Sequence, residues 1–312
     1  MMDKYSFNRM RRIYAFIAVL AAFVYLLTGC LFFSNDAARL AARLAEDHAV
    51  VSVLDVGQGD CIVILAGEST VVIDSGDGSR ESRRAVRSFL DECGVKRIDY
   101  LIATHPHADH IGGMSAIIER REVGAVIFPE IKKDKLPTTK VFSELLIAID
   151  EKDIPLKTAK AGDIYDLSLG EMTVLSSGGY QDLNNCSVVI LYRWGNTAFL
   201  LMGDAEKQVE KALLELGADV ACNVLKAGHH GSNTSSTDAL LTEAAPEYIA
   251  ISCGTANTYG HPHKDVLKRA EKHAAAIYRT DLDSTLVFAS DSKSVKAFAG
   301  NREAEWDEIL FN

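Results

Sequence analysis

No Cys-x-x-Cys pair occurs in the 312 residues, which excludes a zinc ribbon. There is no Walker loop and no dinucleotide fingerprint, since Gly57-Gln58-Gly59 is too short for either. No Ser stands in a nucleophile motif, so covalent catalysis through Ser lacks a carrier. Long repeats and low-complexity linkers are also missing, and a chain of this length can form one large α/β core. Basic residues are the minority, 33 against 43 acidic, and beyond residue 30 the counts are 29 against 42. A surface this acidic argues against strong non-specific nucleic-acid affinity, which depends on neutralising phosphates.

Charge is also missing from Ile13 to Leu27, directly after Lys4, Arg9, Arg11 and Arg12. A basic start, an apolar run and then Leu27-Thr28-Gly29-Cys30 form a secretory leader with a lipobox-like end, in which Cys30 would be the lipidated residue. The alternative is an uncleaved signal anchor, because the apolar run continues through Leu31-Phe32-Phe33. Both readings put residues 1–30 at the membrane and the rest on the extracytoplasmic face. Residues 31–48 read as a tether and 49–312 as one folded domain. The other five cysteines are odd in number and irregular in spacing; most sit in apolar runs and read as small buried hydrophobes, with a single disulfide left open.

The densest chemistry in the chain is His105-Pro106-His107-Ala108-Asp109-His110, followed by Ile111-Gly112-Gly113. Three imidazoles and a carboxylate in six residues have little use in a core and a direct use at transition-metal ions. His105 and His107 alternate at the end of an apolar strand and can converge on one ion. Asp109 and His110 follow at a helix start and can face a second. Seven of the nine histidines lie at 105–110, 229–230 and 261–263, each after a strand or at a loop end. Apolar runs at Val50–Val56, Cys61–Ala66, Ile98–Ala103, Ala198–Met202, Val220–Lys226 and Tyr248–Ser252 read as strands. Helical stretches such as Arg80–Cys93, Glu206–Leu216 and Lys264–His273 interleave with them, which implies α/β layers.

His-x-His-x-Asp-His resembles the signature of the metallo-β-lactamase superfamily. Within it the chain is similar to the C-terminal hydrolase domain of ComEC-type DNA-uptake proteins. The matching stretches are Asp55-Val56-Gly57-Gln58-Gly59-Asp60, Asn184-Asn185-Cys186-Ser187, Leu201-Met202-Gly203-Asp204, Gly228-His229-His230-Gly231-Ser232 and Tyr259-Gly260-His261-Pro262, in that order. The resemblance covers about residues 50–298. The resemblance implies a four-layer αββα sandwich holding two divalent ions, zinc or manganese.

It also implies roles. His105, His107, Asp109, His110, Asp204 and His229 are the expected metal ligands, with Asp204 as the bridging carboxylate; a helix N-cap is the competing reading of Asp204. Neighbours on an extended chain point opposite ways, so one of the two is expected to bind, and the resemblance favours His229, which follows Gly228 as the family's fifth-motif ligand does. His230, Ser232, Asn257 and Tyr259 are then expected to contact substrate. Asp109 is expected to orient the attacking water and His261 to donate to a leaving group or phosphate. Asp74 is expected to support the ligand loops from behind, while for Asp55 and Asp60 turn capping and a functional role stand equal. The wider family has a further histidine at its third motif. Here no histidine lies between residues 111 and 228, which leaves Asn185 as a possible weak ligand.

The expected activity is that of a surface-anchored phosphodiesterase or nuclease using a water activated between two ions, acting on a phosphodiester such as single-stranded DNA. A cell-wall phosphodiester, such as phosphorylcholine on teichoic acid, is the second reading. A non-catalytic surface binding module is the third.

Overall fold

The computed structural model describes residues 36–273 and 275–300. The expected leader with Cys30, and residues 31–35 of the expected tether, lie outside them. Among the described residues no helix is long and apolar enough to cross a membrane.

Two sheets face each other. The first has eight strands: β1 (Ala49–Val53), β2 (Ile62–Ala66), β3 (Ser69–Ile73), β4 (Arg97–Ile102), β5 (Glu122–Pro129), β6 (Leu156–Ala159), β14 (Leu286–Ser290) and β15 (Val295–Ala299). Their spatial order is β15-β14-β1-β2-β3-β4-β5-β6. The second has seven: β7 (Ile164–Asp166), β8 (Glu171–Ser176), β9 (Val189–Trp194), β10 (Thr197–Leu201), β11 (Val224–Lys226), β12 (Tyr248–Ile251) and β13 (Ala276–Arg279), ordered β13-β12-β11-β10-β9-β8-β7.

Alternation along the strands explains why so many of them read as continuous apolar runs. Val51, Val53, Ile62 and Ile64 point between the sheets, where they meet Ile190, Tyr192, Phe199 and Leu201. Val50, Leu54, Val63 and Leu65 point outward under the helices α2 (Arg80–Glu92), α4 (Met114–Arg120) and α5 (Lys140–Glu151). On the far side Leu200, Leu225 and Ile249 pack under α6 (Lys207–Glu215), α7 (Asp238–Ala244) and α8 (Lys264–Lys272). Three apolar layers separate four layers of secondary structure, as the αββα expectation requires.

Some boundaries differ from the sequence reading. Residues 36–44 form a helix, α1, whose Ala37, Ala38, Leu40, Ala41 and Leu44 are buried in the outer core of the first sheet. This part of the expected tether is therefore packed structure. Small alanines let a weakly hydrophobic helix sit close to its neighbours. The expected strand over 220–226 starts only at Val224, because Cys222 bonds the Ala244 carbonyl and not a neighbouring strand. The expected helix from Asp109 is divided into α3 (Ala108–Ile111) and α4, with Gly112 and Gly113 between them. A Cβ on Gly112 would overlap the Asp77 backbone, and one on Gly113 would press on the Ser75 carbonyl. The strand β13 was missed. The five described cysteines are free, so no disulfide forms among them.

β3, β4, β5 and β6 run parallel, as do β10, β11, β12 and β13. Loops at the C-terminal ends of parallel strands collect on one rim. Asp74 follows β3, His105–His110 follow β4, Asp204 follows β10 and His229-His230 follow β11. Residues distant in sequence thus meet at the mouth between the sheets.

Candidate metal centre

Asp74 is fully buried directly behind β3. The Thr104 amide and hydroxyl donate to its two carboxylate oxygens at 2.8 and 2.6 Å. His110 Nδ1 lies 2.7 Å from Asp74 Oδ2. The carboxylate therefore accepts a hydrogen bond from Nδ1–H, and His110 Nε2 is left facing the rim. Burial pushes the Asp74 carboxyl up, with His110 opposing it. His110 is pulled the other way: burial disfavours its charge, but Asp204 and Asp74 outweigh burial and raise it well above the ordinary imidazole range.

Asp204 stands at the centre. Its Oδ2 lies 3.2 Å from His110 Nε2, 3.6 Å from His230 Nε2, 3.7 Å from His105 Nε2 and 3.9 Å from His229 Nε2. It does not cap a helix, because α6 starts after Glu206. His105 Nε2 and His107 Nδ1 approach to 2.9 Å, so both aim nitrogens at one spot. Asp109 is partly exposed and lies 3.8 Å from His110 Nε2 and 3.3 Å from His230 Nε2.

The second histidine pair departs from the expectation. β11 ends at Lys226, and both His229 (φ 49°) and His230 (φ 54°) lie in the left-handed region. Alternation along an extended chain does not apply in such a turn. His230 is buried, with Nδ1 3.0 Å from the Ser252 carbonyl and 3.2 Å from Asp60 Oδ1, so its Nε2 is directed at Asp109 and Asp204. Burial opposes a charge on this ring, but Asp204 and Asp60 raise its pKa to about 9. His229 is more exposed; its Nδ1 lies 3.0 Å from Glu206 Oε1, and its Nε2 faces the Asn184 amide at 3.4 Å. Among the described residues the convergent donor groups include His105–His110–Asp204, Asp109–His110–His230 and Asp60–Asp204–His230, the donor atoms of each within 4.8 Å of one another. His230 belongs to them; His229, the expected ligand, stands beside them with its Nε2 3.9 Å from Asp204 Oδ2.

Other expected contacts are redistributed. The Asn185 side-chain oxygen accepts from the Glu206 amide at 3.1 Å, while the Asn184 amide faces His229 Nε2 at 3.4 Å. The Ser232 hydroxyl is buried against Thr234 at 3.0 Å. Asn257 closes its own loop through the Gly254 and His261 carbonyls and the His261 amide. These contacts leave Ser232 and Asn257 holding loops, where substrate contact was expected. Tyr259 is 64% exposed, with its ring stacked on His261 at 5.7 Å between centroids. Burial, then His230 and His229, push His261 down to about 4, which keeps it neutral. Asp55 accepts from the Gly57 amide at 3.2 Å, a turn-capping bond.

Lys226 was missed. It is fully buried, ion-paired with Asp60, and donates to the Gly203 carbonyl at 3.1 Å. Burial opposes ionisation of Asp60, yet Lys226 and His230 lower its pKa to about 2. A cation closing an apolar run two residues before Gly228-His229-His230 was the available signal.

Buried polar atoms normally find partners. Here His110 Nε2, His230 Nε2, Asp204 Oδ1 and Asn184 Oδ1 are buried without a hydrogen bond. Imidazole and carboxylate donors left unpaired and aimed at one another fit divalent cations, which would use those lone pairs.

A rim of histidines and aspartates between two helix-covered sheets defines a metal-binding hydrolase-like fold. The chain belongs to the metallo-beta-lactamase superfamily, whose family model matches residues 54–254. It is 29% identical to ComE operon protein 3 of Bacillus subtilis (strain 168) over 76% of this chain and 32% of that protein. It is 30% identical to competence protein ComA of Neisseria gonorrhoeae over 81% of this chain and 34% of that protein. The chain thus spans about a third of the length of these relatives. Among solved structures it is similar to CmlA, a diiron beta-hydroxylase from Streptomyces venezuelae (TM-score 0.52, 12% identity, 81% of this chain and 54% of that one). It is also similar to a metallo hydrolase from Ignicoccus hospitalis (TM-score 0.50, 15% identity, 77% and 98%). At these identities the structures share the fold alone.

Proposed function

We propose that the protein is a dinuclear metal-dependent phosphodiesterase that acts on nucleic-acid strands at the extracytoplasmic face of the membrane. The observation that carries the chemistry is the set of buried, unpaired donors converging on Asp204. His105, His107 and Asp204 would hold one zinc or manganese ion. Asp109, His110, His230 and Asp204 would hold the other. When bound, such ions supply Lewis acidity toward a phosphoryl oxygen and lower the pKa of a water to about 7.

The chain's own groups do the rest. Asp74 and Asp60 hold His110 and His230 in the tautomers that present Nε2. Asp109, partly exposed beside His230, can accept a proton from an attacking water. His261, neutral and half-buried under Tyr259, can donate a hydrogen bond to a substrate oxygen. The names of the competence relatives favour a DNA strand as substrate, and the leader-like N-terminus favours an anchored protein.

The test offers the full chain, loaded with manganese or zinc, single-stranded DNA, duplex DNA and bis-p-nitrophenyl phosphate. DNA cleavage supports the proposal. Turnover of the small diester alone moves the substrate toward a cell-wall phosphodiester. No turnover despite bound metal overturns it in favour of a binding module. Anchoring is read separately: Cys30→Ala should prevent lipidation and change membrane attachment, and an unchanged attachment and mass would support the signal anchor.

A further inference from the structure

The acidic balance of the chain conceals a local reversal. α2 carries Arg80, Arg83, Arg84 and Arg87 at i, i+3, i+4 and i+7, the spacing of one helical face. Its other face buries Ser82, Val86, Phe89 and Leu90. The arginine face borders a cavity of about 910 Å³ whose other wall is α4 and the residue after it, with Arg120 and Arg121. Six arginines meet there against two acids, Glu81 and Glu119. Among the described residues, Arg80, Arg84, Arg87 and Arg120 make no ion pair, while Arg121 is paired with Asp91.

We propose that this groove binds the phosphodiester backbone of a single nucleic-acid strand. The identity of the occupant rests on the phosphodiesterase reading above; the groove itself does not. Arg80 to Arg87 extends about 10 Å along the helix at 1.5 Å per residue, longer than one phosphate and suited to a repeating anion. Guanidinium forks match phosphate oxygens in pairs. The lining contains no aromatic side chain, so bases have nothing to stack on and recognition falls on the backbone. The site is recessed between two helices, whereas an anionic bilayer requires a flat or protruding basic face. Gly78 and Gly113 in the lining belong to the loops that present Asp74 and His110. A strand held here is therefore bound on the back of the metal-carrying loops.

The test measures binding of a short fluorescein-labelled oligothymidylate to the full chain in EDTA, across a salt series. The triple variant Arg80→Gln/Arg84→Gln/Arg87→Gln changes only exposed side chains. It should bind roughly tenfold more weakly at low salt, with the salt slope reduced by about 0.7 per arginine removed. The variant Lys160→Gln/Lys293→Gln/Lys296→Gln removes the same charge from exposed positions elsewhere and should bind like the parent. Equal affinity for the arginine variant and the parent overturns the proposal, as does equal loss in both variants. Loss of binding to phosphatidylglycerol vesicles with oligonucleotide affinity unchanged overturns it in favour of a membrane. Hydrolysis of bis-p-nitrophenyl phosphate should be unchanged in the arginine variant. Oligonucleotide binding that depends on the arginines, without cleavage in manganese, supports the groove and sinks the nuclease reading alone.

Discussion

Two histidine turns meet at Asp204, and they differ in how they are built. The first, His105 to His110, runs from the end of β4 into α3 with regular backbone, and its Nε2-presenting His110 is fixed by Asp74 from the neighbouring strand end. The second, His229-His230, is a left-handed turn after β11 whose inner ring is fixed by Asp60 and, through Asp60, by buried Lys226. Regular backbone keeps the direction of a side chain readable from spacing. A left-handed turn does not, and the choice between adjacent histidines then rests on which ring the core surrounds.

The largest expected effect strikes both turns together. Asp204→Asn removes a carboxylate charge that faces His105, His110 and His230. Metal content should collapse and phosphodiester turnover fall on the order of a thousandfold, with the circular-dichroism spectrum unchanged. Full metal and activity in this variant would show that the turns do not share a centre.

The next experiment separates the two rings of the second turn. His230→Ala should strip metal and cost at least about a hundredfold in turnover. His229→Ala, which removes the ring that Glu206 and Asn184 face, should cost roughly ten- to a hundredfold and retain more metal. Metal analysis of both variants decides it; loss of metal only from His229→Ala would restore the order expected from the sequence.

The support beneath the second turn is tested by Lys226→Met. It leaves Asp60 buried with His230 as its remaining cationic neighbour, and urea unfolding should show a loss of about 3–5 kcal/mol. Adding Asp60→Asn should recover part of that loss, because the stranded charge is gone. A Lys226→Met protein as stable as the parent would mean that the pair does not hold the turn.

The smallest effect belongs to the mouth. Tyr259→Ala should raise KM for an aromatic diester or an oligonucleotide roughly five- to tenfold and leave kcat unchanged, since the exposed ring offers a stacking face and no ligand. A change confined to kcat would place Tyr259 in positioning His261.

Much of this was legible before folding. The His105–His110 cluster announced metal chemistry because those residue types so closely spaced suit little else, and the strands announced themselves because burial on both faces demands unbroken apolar runs. Asp204 was legible through the resemblance only, and its hub position through the structure only. Four assignments rest on one kind of information that the sequence does not carry. The His229 preference, the Asn185 ligand and the substrate contacts of Ser232 and Asn257 each depend on what the side chain meets after folding, and each of these side chains found a partner within its own loop or in a neighbouring one.

What the sequence by itself determined is the layered α/β architecture, the rim on which chemistry gathers and the first histidine turn, because periodicity and short-range spacing act within a few residues. What the tertiary structure decided is the rest. Helix 36–44 joins the core because the first sheet's outer face is there to cover its alanines. Lys226 can remain buried because Asp60 reaches it from another strand end. His230 turns inward because the Ser252 carbonyl accepts a hydrogen bond from its Nδ1 and the Asp60 carboxylate lies beside it. The arginines of α2 become a groove because α4 stands opposite with two more. Each of these depends on contacts between segments far apart in the chain, and such contacts exist only after the sheets have closed on one another.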